Sequence, residues 1–154
     1  MDQFYSIVEP VVDHTVRKLC IRPYPNHKKG CPNWGGKKGC PPQVPLIGKL
    51  INLDKIVYAI YNRYEFGDHV ERMREKHPKW SKRQLECCLY WQGTARKCLR
   101  EKIRLFLSDY RDYIIVGCPE GSGVNLTETM KQVGINLEWP PKKYTYQIVL
   151  AGKK

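Results

Sequence analysis

Three segments of the chain carry the apolar, β-branched and aromatic residues that are typical of β-strands. The strongest is the run Ile-Val-Tyr-Ala-Ile-Tyr at residues 56–61, inside residues 53–64, and it predicts a first strand that is buried on both faces. Residues 112–116 and residues 144–150 predict a second and a third strand. The chain is therefore expected to contain a small β-sheet.

A long amphipathic helix is predicted between the first two strands. Ser81 and Gln84 have the spacing of a capping box, so this helix is expected to begin at Lys82 and to cover residues 82–108, with Gly93 as its weak point. Its apolar face is predicted to consist of Leu85, Cys88, Ala95, Leu99, Ile103 and Phe106.

Two shorter helices are expected on either side, over residues 68–77 and residues 127–133, the second closed by Gly134. Because strands alternate with helices, the sequence predicts an α/β fold. It would have a small mixed or mostly parallel sheet, helices, and a long metal-bound cysteine loop near the N-terminus. Residues 1–154 are expected to form a single metal-binding domain. In such folds the turns that follow the strands are the natural place for a site.

Residues 20–48 follow neither the period of a strand nor that of a helix, and Cys, Pro, Gly and Lys dominate them. Such a stretch buries too little apolar surface to offset its ordering entropy, and a metal cross-link is a device that would fix it. The tripeptide Gly-Cys-Pro occurs there twice, at residues 30–32 and 39–41, and again at residues 117–119. Cysteine followed by proline recurs in iron–sulfur ligation, and a preceding glycine permits a tight turn.

Cys20, Cys31 and Cys40 are accordingly the expected metal ligands, with Cys118 as the fourth. Their spacing lacks the close C-x₂₋₄-C pairs of zinc sites, which favours an iron–sulfur cluster, 4Fe-4S, over a zinc ion as the alternative. Cys118 follows a predicted strand and has a second interpretation, a buried cysteine at a strand end. If only the three loop cysteines bind, an open iron would act as a Lewis acid, with Cys118 or Glu120 nearby for proton or sulfur chemistry.

The remaining cysteines, Cys87, Cys88 and Cys98, are interpreted differently. On one continuous helix Cys87 and Cys98 would lie about 16 Å apart, too far to bind one cluster. Cys88 falls on the apolar face and Cys98 lies beside Leu99, so both are predicted to pack in the core.

The net charge of the chain indicates which class of partner it binds. The chain has 27 Lys and Arg against 15 Asp and Glu, a formal net charge of +12, which favours an anionic substrate, an anionic redox partner or nucleic acid. A solvated helix face explains part of this charge equally well. The residues proposed for nucleic-acid contact are Lys28, Lys29, Lys37 and Lys38 on the loop and Arg96, Lys97, Arg100 and Arg104 on the long helix.

Location is predicted from two patterns. The first residues carry Asp2 and Glu9 and lack the basic and apolar regions of a secretory signal, and no apolar run approaches the roughly 20 residues of a membrane span. The expectation is a soluble cytoplasmic protein with no membrane contact. The odd number of cysteines, seven, makes a disulfide framework the weaker interpretation.

The run CPNWGGKKGCPP at residues 31–42, preceded by Cys20, resembles the signature of a largely uncharacterised family of small cysteine-rich proteins, a domain-of-unknown-function family predicted to bind metal. Residues 121–126 and 134–137 are similar to the closing segment of that family. The resemblance implies metal binding and says almost nothing about a reaction. The family carries a tighter group of cysteines in its second half, whereas here they are spread out, which leaves the second-half ligands open.

Two functions are therefore weighed. The leading hypothesis is an iron–sulfur protein whose single cluster serves redox transfer or the activation of an anionic substrate. The rival is a structural zinc module that binds nucleic acid through a basic face. The sequence pattern is compatible with an enzyme and with a non-catalytic protein.

Overall fold

The computed structural model describes residues 3–21, 44–138 and 141–154, with residues 18–21 described by their backbone alone. Within these ranges the chain forms one sheet with the strand order β1-β2-β4-β3. The strands are β1 (Tyr5–Val8), β2 (Val57–Tyr64), β3 (Ile114–Val116) and β4 (Thr145–Gly152). The helices are α1 (Ile47–Leu50), α2 (Phe66–Lys76), α3 (Lys82–Leu85), α4 (Gln92–Asp109) and α5 (Leu126–Lys131), with 3₁₀ helices at His14–Ile21 and Cys88–Tyr90.

The fold is mixed α and β, but the prediction of a mixed or mostly parallel sheet is wrong. Every neighbouring pair of strands in the described sheet is antiparallel. Strands β2 and β3, which the helices connect, do run parallel to each other, and β4 lies between them and opposes both. The sequence pattern thus predicted β2, β3 and β4, but it did not predict that β4 lies between the other two in the opposite direction, and it missed β1 at the edge.

Both faces of the sheet are covered. One face packs against α1, α5 and the segments beside them, in a core that includes Ile47, Ala59, Leu150 and Met130. The other face packs against α4. The alternation along the strands produces this division, because successive side chains point to opposite faces. No helix in the described part of the chain combines the length and the apolar character needed to cross a bilayer.

The predicted long helix is interrupted. Ser81 and Gln84 do form the predicted capping box, but α3 ends at Leu85 and regular α-helix resumes only at Gln92. Trp91 explains the break: its ring stacks on Tyr64 at 5.5 Å and its Nε1 donates a hydrogen bond of 3.2 Å to the carbonyl of Glu86. The indole N–H therefore donates to the carbonyl of Glu86, which in a continuous helix would accept a backbone hydrogen bond. The break lies close to Gly93, the predicted weak point.

Phe106 lies at the centre of the core between α4 and the sheet. Its side chain is 1% exposed and is surrounded by aromatic rings. The ring of Tyr110 stacks on it with centroids 4.5 Å apart, and three other rings meet it edge-on, those of Tyr5, Tyr58 and Tyr113. Such edge and offset contacts add to the stabilisation that burial itself provides.

His69 is a buried titratable group on α2. The side chain is 4% exposed and its Nε2 atom has no hydrogen-bond partner within the described residues. Burial lowers the pKa of His69 and the cation of Arg72 lowers it further, while a hydrogen bond with the Leu85 backbone opposes both. The folded protein therefore favours the neutral imidazole more strongly than the unfolded chain does.

Acid should consequently destabilise the fold through His69. The unfolded chain binds a proton at the ordinary pKa of 6.5, whereas the folded chain does so only at lower pH, so stability falls as the pH drops below that value. The fall for one proton is at most about 1.4 kcal/mol per pH unit. Urea unfolding of wild type and His69→Gln at about pH 7.5 and about pH 5.5 measures it. The His69→Gln protein should lose less stability than wild type, and an identical loss would contradict the assignment.

Candidate metal centre

The described part of the candidate site is built on the turn that follows β3. This turn covers residues 117–125 and holds its shape through its own backbone: the amide of Ser122 donates to the carbonyl of Cys118 at 3.1 Å, and the amide of Val124 donates to the carbonyl of Pro119 at 3.0 Å. Asn125 then caps α5 by accepting a hydrogen bond from the Glu128 amide. The side chain of Cys118 is thus carried on a closed turn between a strand and a helix.

Gly123 is required in this turn for two reasons. Its φ angle is +90°, a conformation that side chains rarely adopt. A Cβ atom at this position would also lie 2.9 Å from Cδ2 of His14. The glycine therefore allows the N-terminal segment to approach the turn closely.

The turn also binds the chain on both sides of the cysteine loop. Before the loop, the amide of Asp13 donates to the carbonyl of Gly123 at 2.7 Å. After it, the amide of Ile47 donates to the carbonyl of Ser122 at 2.9 Å, and Nη2 of Arg17 joins the two sides by donating to the carbonyl of Val44 at 2.8 Å. The chain is therefore hydrogen-bonded to the turn that holds Cys118 both before and after residues 22–43, at Asp13 and at Ile47.

A cavity of about 290 Å³ opens next to Cys118. Its walls are mostly apolar and come from β4, α5 and the segment after α5, with Leu126, Leu137 and Ile148 among them. The half-buried Glu120 also lines it, and burial raises the pKa of this carboxyl. The cavity gives the turn a sheltered side that holds a thiol and an acid.

The predicted ligands fall on different parts of the chain. Cys118 is half-buried in the turn, which places it at a strand end as predicted. The backbone places Cys20 near the end of the 3₁₀ helix His14–Ile21, whereas Cys31 and Cys40 lie outside the described residues. Within the described residues no group of three or more His, Cys, Asp or Glu side chains is arranged to hold a metal ion. A centre at this place would thus need ligands from residues 22–43.

The predicted core packing of Cys88 and Cys98 is wrong. Both side chains are exposed, and Cys87 is half-buried. The break before α4 explains Cys88, because the residue lies in the 3₁₀ turn Cys88–Tyr90 instead of on the apolar face of a continuous helix. Cys98 lies on α4, whose buried residues are Ala95, Leu99 and Phe106, so it flanks the buried stripe without entering it.

Only four of the eight basic residues proposed for nucleic-acid contact lie within the described residues. The four on α4 are exposed, and Arg104 forms an ion pair of 2.7 Å with Glu101. This pair holds the pKa of the Glu101 carboxyl below its usual range and raises that of Arg104. The four lysines of the loop, Lys28, Lys29, Lys37 and Lys38, lie outside the described residues.

Sequence reasoning missed the N-terminal side of this site. Val12 and Val124 form an isolated antiparallel bridge, and the amide of Asn125 donates to the carbonyl of Val11 at 2.8 Å. These contacts bring residues more than a hundred positions apart in sequence into one cluster. The one local signal was the Gly-Ser-Gly sequence at residues 121–123, which marks a tight turn without naming its partner.

No protein-family profile, curated protein or solved structure matches this chain.

Proposed function

We propose that this protein binds one metal centre, an iron–sulfur cluster, through Cys20, Cys31 and Cys40, with Cys118 as the fourth ligand. The observation that supports the proposal is that the chain on both sides of residues 22–43 is hydrogen-bonded to the turn of residues 117–125. Asp13 and Ile47 each donate a backbone hydrogen bond to that turn, which also carries Cys118.

The chemistry of the donors agrees with the proposal. Thiolates are the ligands that iron–sulfur clusters use, and three of the four cysteines precede a proline, since Gly-Cys-Pro surrounds Cys31, Cys40 and Cys118. A bound cluster would supply electron transfer or, at an open iron, activation of an anionic substrate. The chain itself supplies the half-buried Cys118, the neighbouring Glu120 and a net charge of +12. These features favour an anionic substrate or an acidic redox partner.

The role of Cys118 is tested by replacing it and a matched cysteine. Cys118→Ser should lose most of the bound metal, whereas Cys98→Ser should keep it, because Cys98 is exposed on α4. Metal and sulfide per chain, measured after anaerobic purification, compare the two variants. If Cys118→Ser retained a full cluster, Cys118 would not be a ligand and the version with an open iron would remain. If wild type held no metal, the function itself would be refuted.

The second candidate function is a structural zinc module that binds nucleic acid. One observation favours it: the cations Arg96, Lys97 and Arg100 on α4 are all exposed, and none of them forms an ion pair within the described residues. Arg96→Gln combined with Arg100→Gln should then weaken binding to nucleic acid. Absence of binding by wild type at low salt would remove this candidate.

A further inference from the structure

A row of aromatic rings lies on the surface beside the break between α3 and α4. The rings of His77 and Trp80 stack with centroids 3.8 Å apart and planes 5° apart, and Tyr90 continues the row with its centroid 5.2 Å from that of Trp80. Tyr90 is 53% exposed and its neighbour Leu89 is 85% exposed. The row therefore presents π surface to solvent at its Tyr90 end.

Trp91, the other tryptophan in the same region, has surroundings that differ from those of the row. Trp91 is half-buried, stacks on Tyr64 and donates its Nε1 hydrogen to Glu86, so it has a structural role. Neither Trp80 nor Tyr90 uses its side-chain polar atom in a hydrogen bond within the described residues. Side-chain hydrogen bonding within the fold therefore does not explain why Trp80 and Tyr90 lie in this row.

Cations adjoin the row in sequence. Residues 76–85 contain no Asp or Glu, although Glu75 and Glu86 flank them, and no cation of this segment forms an ion pair within the described residues. Positive charge next to exposed rings is the combination that binds the backbone and the bases of single-stranded nucleic acid together. The exposed cations of the segment are Lys76, Lys79, Lys82 and Arg83.

We propose that the row His77, Trp80 and Tyr90, with these four cations, is a binding surface for single-stranded nucleic acid. A base stacks on the Tyr90 end of the row, and the cations neutralise the neighbouring phosphates. The row does not include α4 or the cysteine loop, so the inference does not depend on the metal centre or on the rival nucleic-acid face of α4.

Three arguments select a single strand as the occupant. Bases in a duplex are stacked on each other, so only unpaired bases offer a free face to a ring. Four unpaired cations disfavour a protein partner, because lysine is depleted at the centre of protein interfaces. A membrane surface is disfavoured as well, since binding in its plane uses the long apolar face of an amphipathic helix. Among residues 76–90 only Leu89 and Tyr90 are large exposed apolar side chains.

The test uses the full-length protein and fluorescein-labelled oligonucleotides of about 12 unpaired bases, of DNA and of RNA, followed by fluorescence anisotropy. Tyr90→Ala should weaken binding roughly 5- to 150-fold, the range expected for the loss of one stacked base. Tyr90→Phe keeps the ring and should bind like wild type. A circular dichroism melt of each variant shows that it is folded.

Charge is tested by two double variants that remove the same number of cations. Lys82→Gln with Arg83→Gln should reduce the slope of log affinity against log salt by about 1.4, the value for two phosphates of a single strand. Lys49→Gln with Lys55→Gln, two exposed cations that belong to neither proposed nucleic-acid surface, should leave that slope unchanged. An equal or larger effect of this control pair, or equal affinity of Tyr90→Ala and wild type, would overturn the proposal.

Two further outcomes also overturn it. One is a duplex of the same sequence that binds as tightly as the single strand, because a duplex offers no free base to the rings. The other is a protein that binds vesicles of anionic phospholipid and no oligonucleotide, with the binding to vesicles weakened by Tyr90→Ala. That result would make the row a membrane contact.

Discussion

Cys31→Ser and Cys40→Ser should each release nearly all of the bound metal and expose the loop to trypsin at Lys28, Lys29, Lys37 and Lys38. The loop has few apolar residues, so without the metal its ordering entropy, about 1 to 2 kcal/mol per residue for the backbone, has little to offset it. The strands and α4 should persist at least partly, because each face of the sheet packs against a core of buried residues from other parts of the chain. Limited proteolysis with metal analysis of the same samples measures both effects.

Cys98→Ser is the matched control for these two variants. Because Cys98 is exposed on α4, its replacement should change neither the metal content nor the free energy of unfolding by more than about 0.5 kcal/mol. The opposite pattern, in which Cys98 is essential for metal and Cys31 and Cys40 are dispensable, would place the centre in the second half of the chain.

Phe106→Ala should destabilise the protein more than any surface change, by about 3 to 5 kcal/mol in the free energy of unfolding. The ring is 1% exposed and contacts four tyrosines, so its removal leaves a cavity between α4 and the sheet. This loss is a large part of the total stability expected for a domain of this size, about 5 to 15 kcal/mol. Urea unfolding followed by circular dichroism gives the difference from wild type.

Leu105→Ala provides the control, at the position that precedes Phe106 in the same helix. Leu105 is 42% exposed, so its truncation should cost far less than that of Phe106. Equal losses for the two variants would mean that the aromatic cluster does not carry the stability assigned to it.

Local patterns predicted those elements whose signals lie within a few residues. The apolar run at residues 56–61 lies in β2 except for its first residue, the capping box of Ser81 and Gln84 begins α3, and Gly134 follows α5 with a φ angle of +77°. Each depends on contacts between near neighbours in sequence. Their positions could therefore be predicted from the sequence without knowledge of the tertiary fold.

Pairing between distant segments could not be predicted in this way. Local patterns do not show that β4, and not β3, is the strand that pairs with β2, and so they did not give the antiparallel pairing. The four residues of β1 are too few to give a strand pattern. The break before α4 depends on the contact of Trp91 with Tyr64, nearly 30 positions away. That tertiary contact changed the surroundings of Cys88, which is why its predicted burial was wrong.

The candidate site shows the same division. The placement of Cys118 directly after a strand followed from the sequence, whereas the hydrogen bonds of Asp13 and Ile47 to its turn did not. Those bonds depend on a close approach at Gly123, and the sequence shows only that this residue is a glycine. The joint binding of a metal by Cys20, Cys31, Cys40 and Cys118 stays a prediction, and the hydrogen bonds of Asp13 and Ile47 to the turn that carries Cys118 support it.

The most direct test of the metal centre is the iron, sulfide and zinc content of the wild-type protein after anaerobic purification, with its visible absorption spectrum. The proposal predicts a brown protein with iron and acid-labile sulfide in equal amounts, a broad absorption band that bleaches on reduction, and little zinc. A colourless protein that holds stoichiometric zinc would contradict the cluster and leave the zinc module. A protein without any bound metal would contradict both.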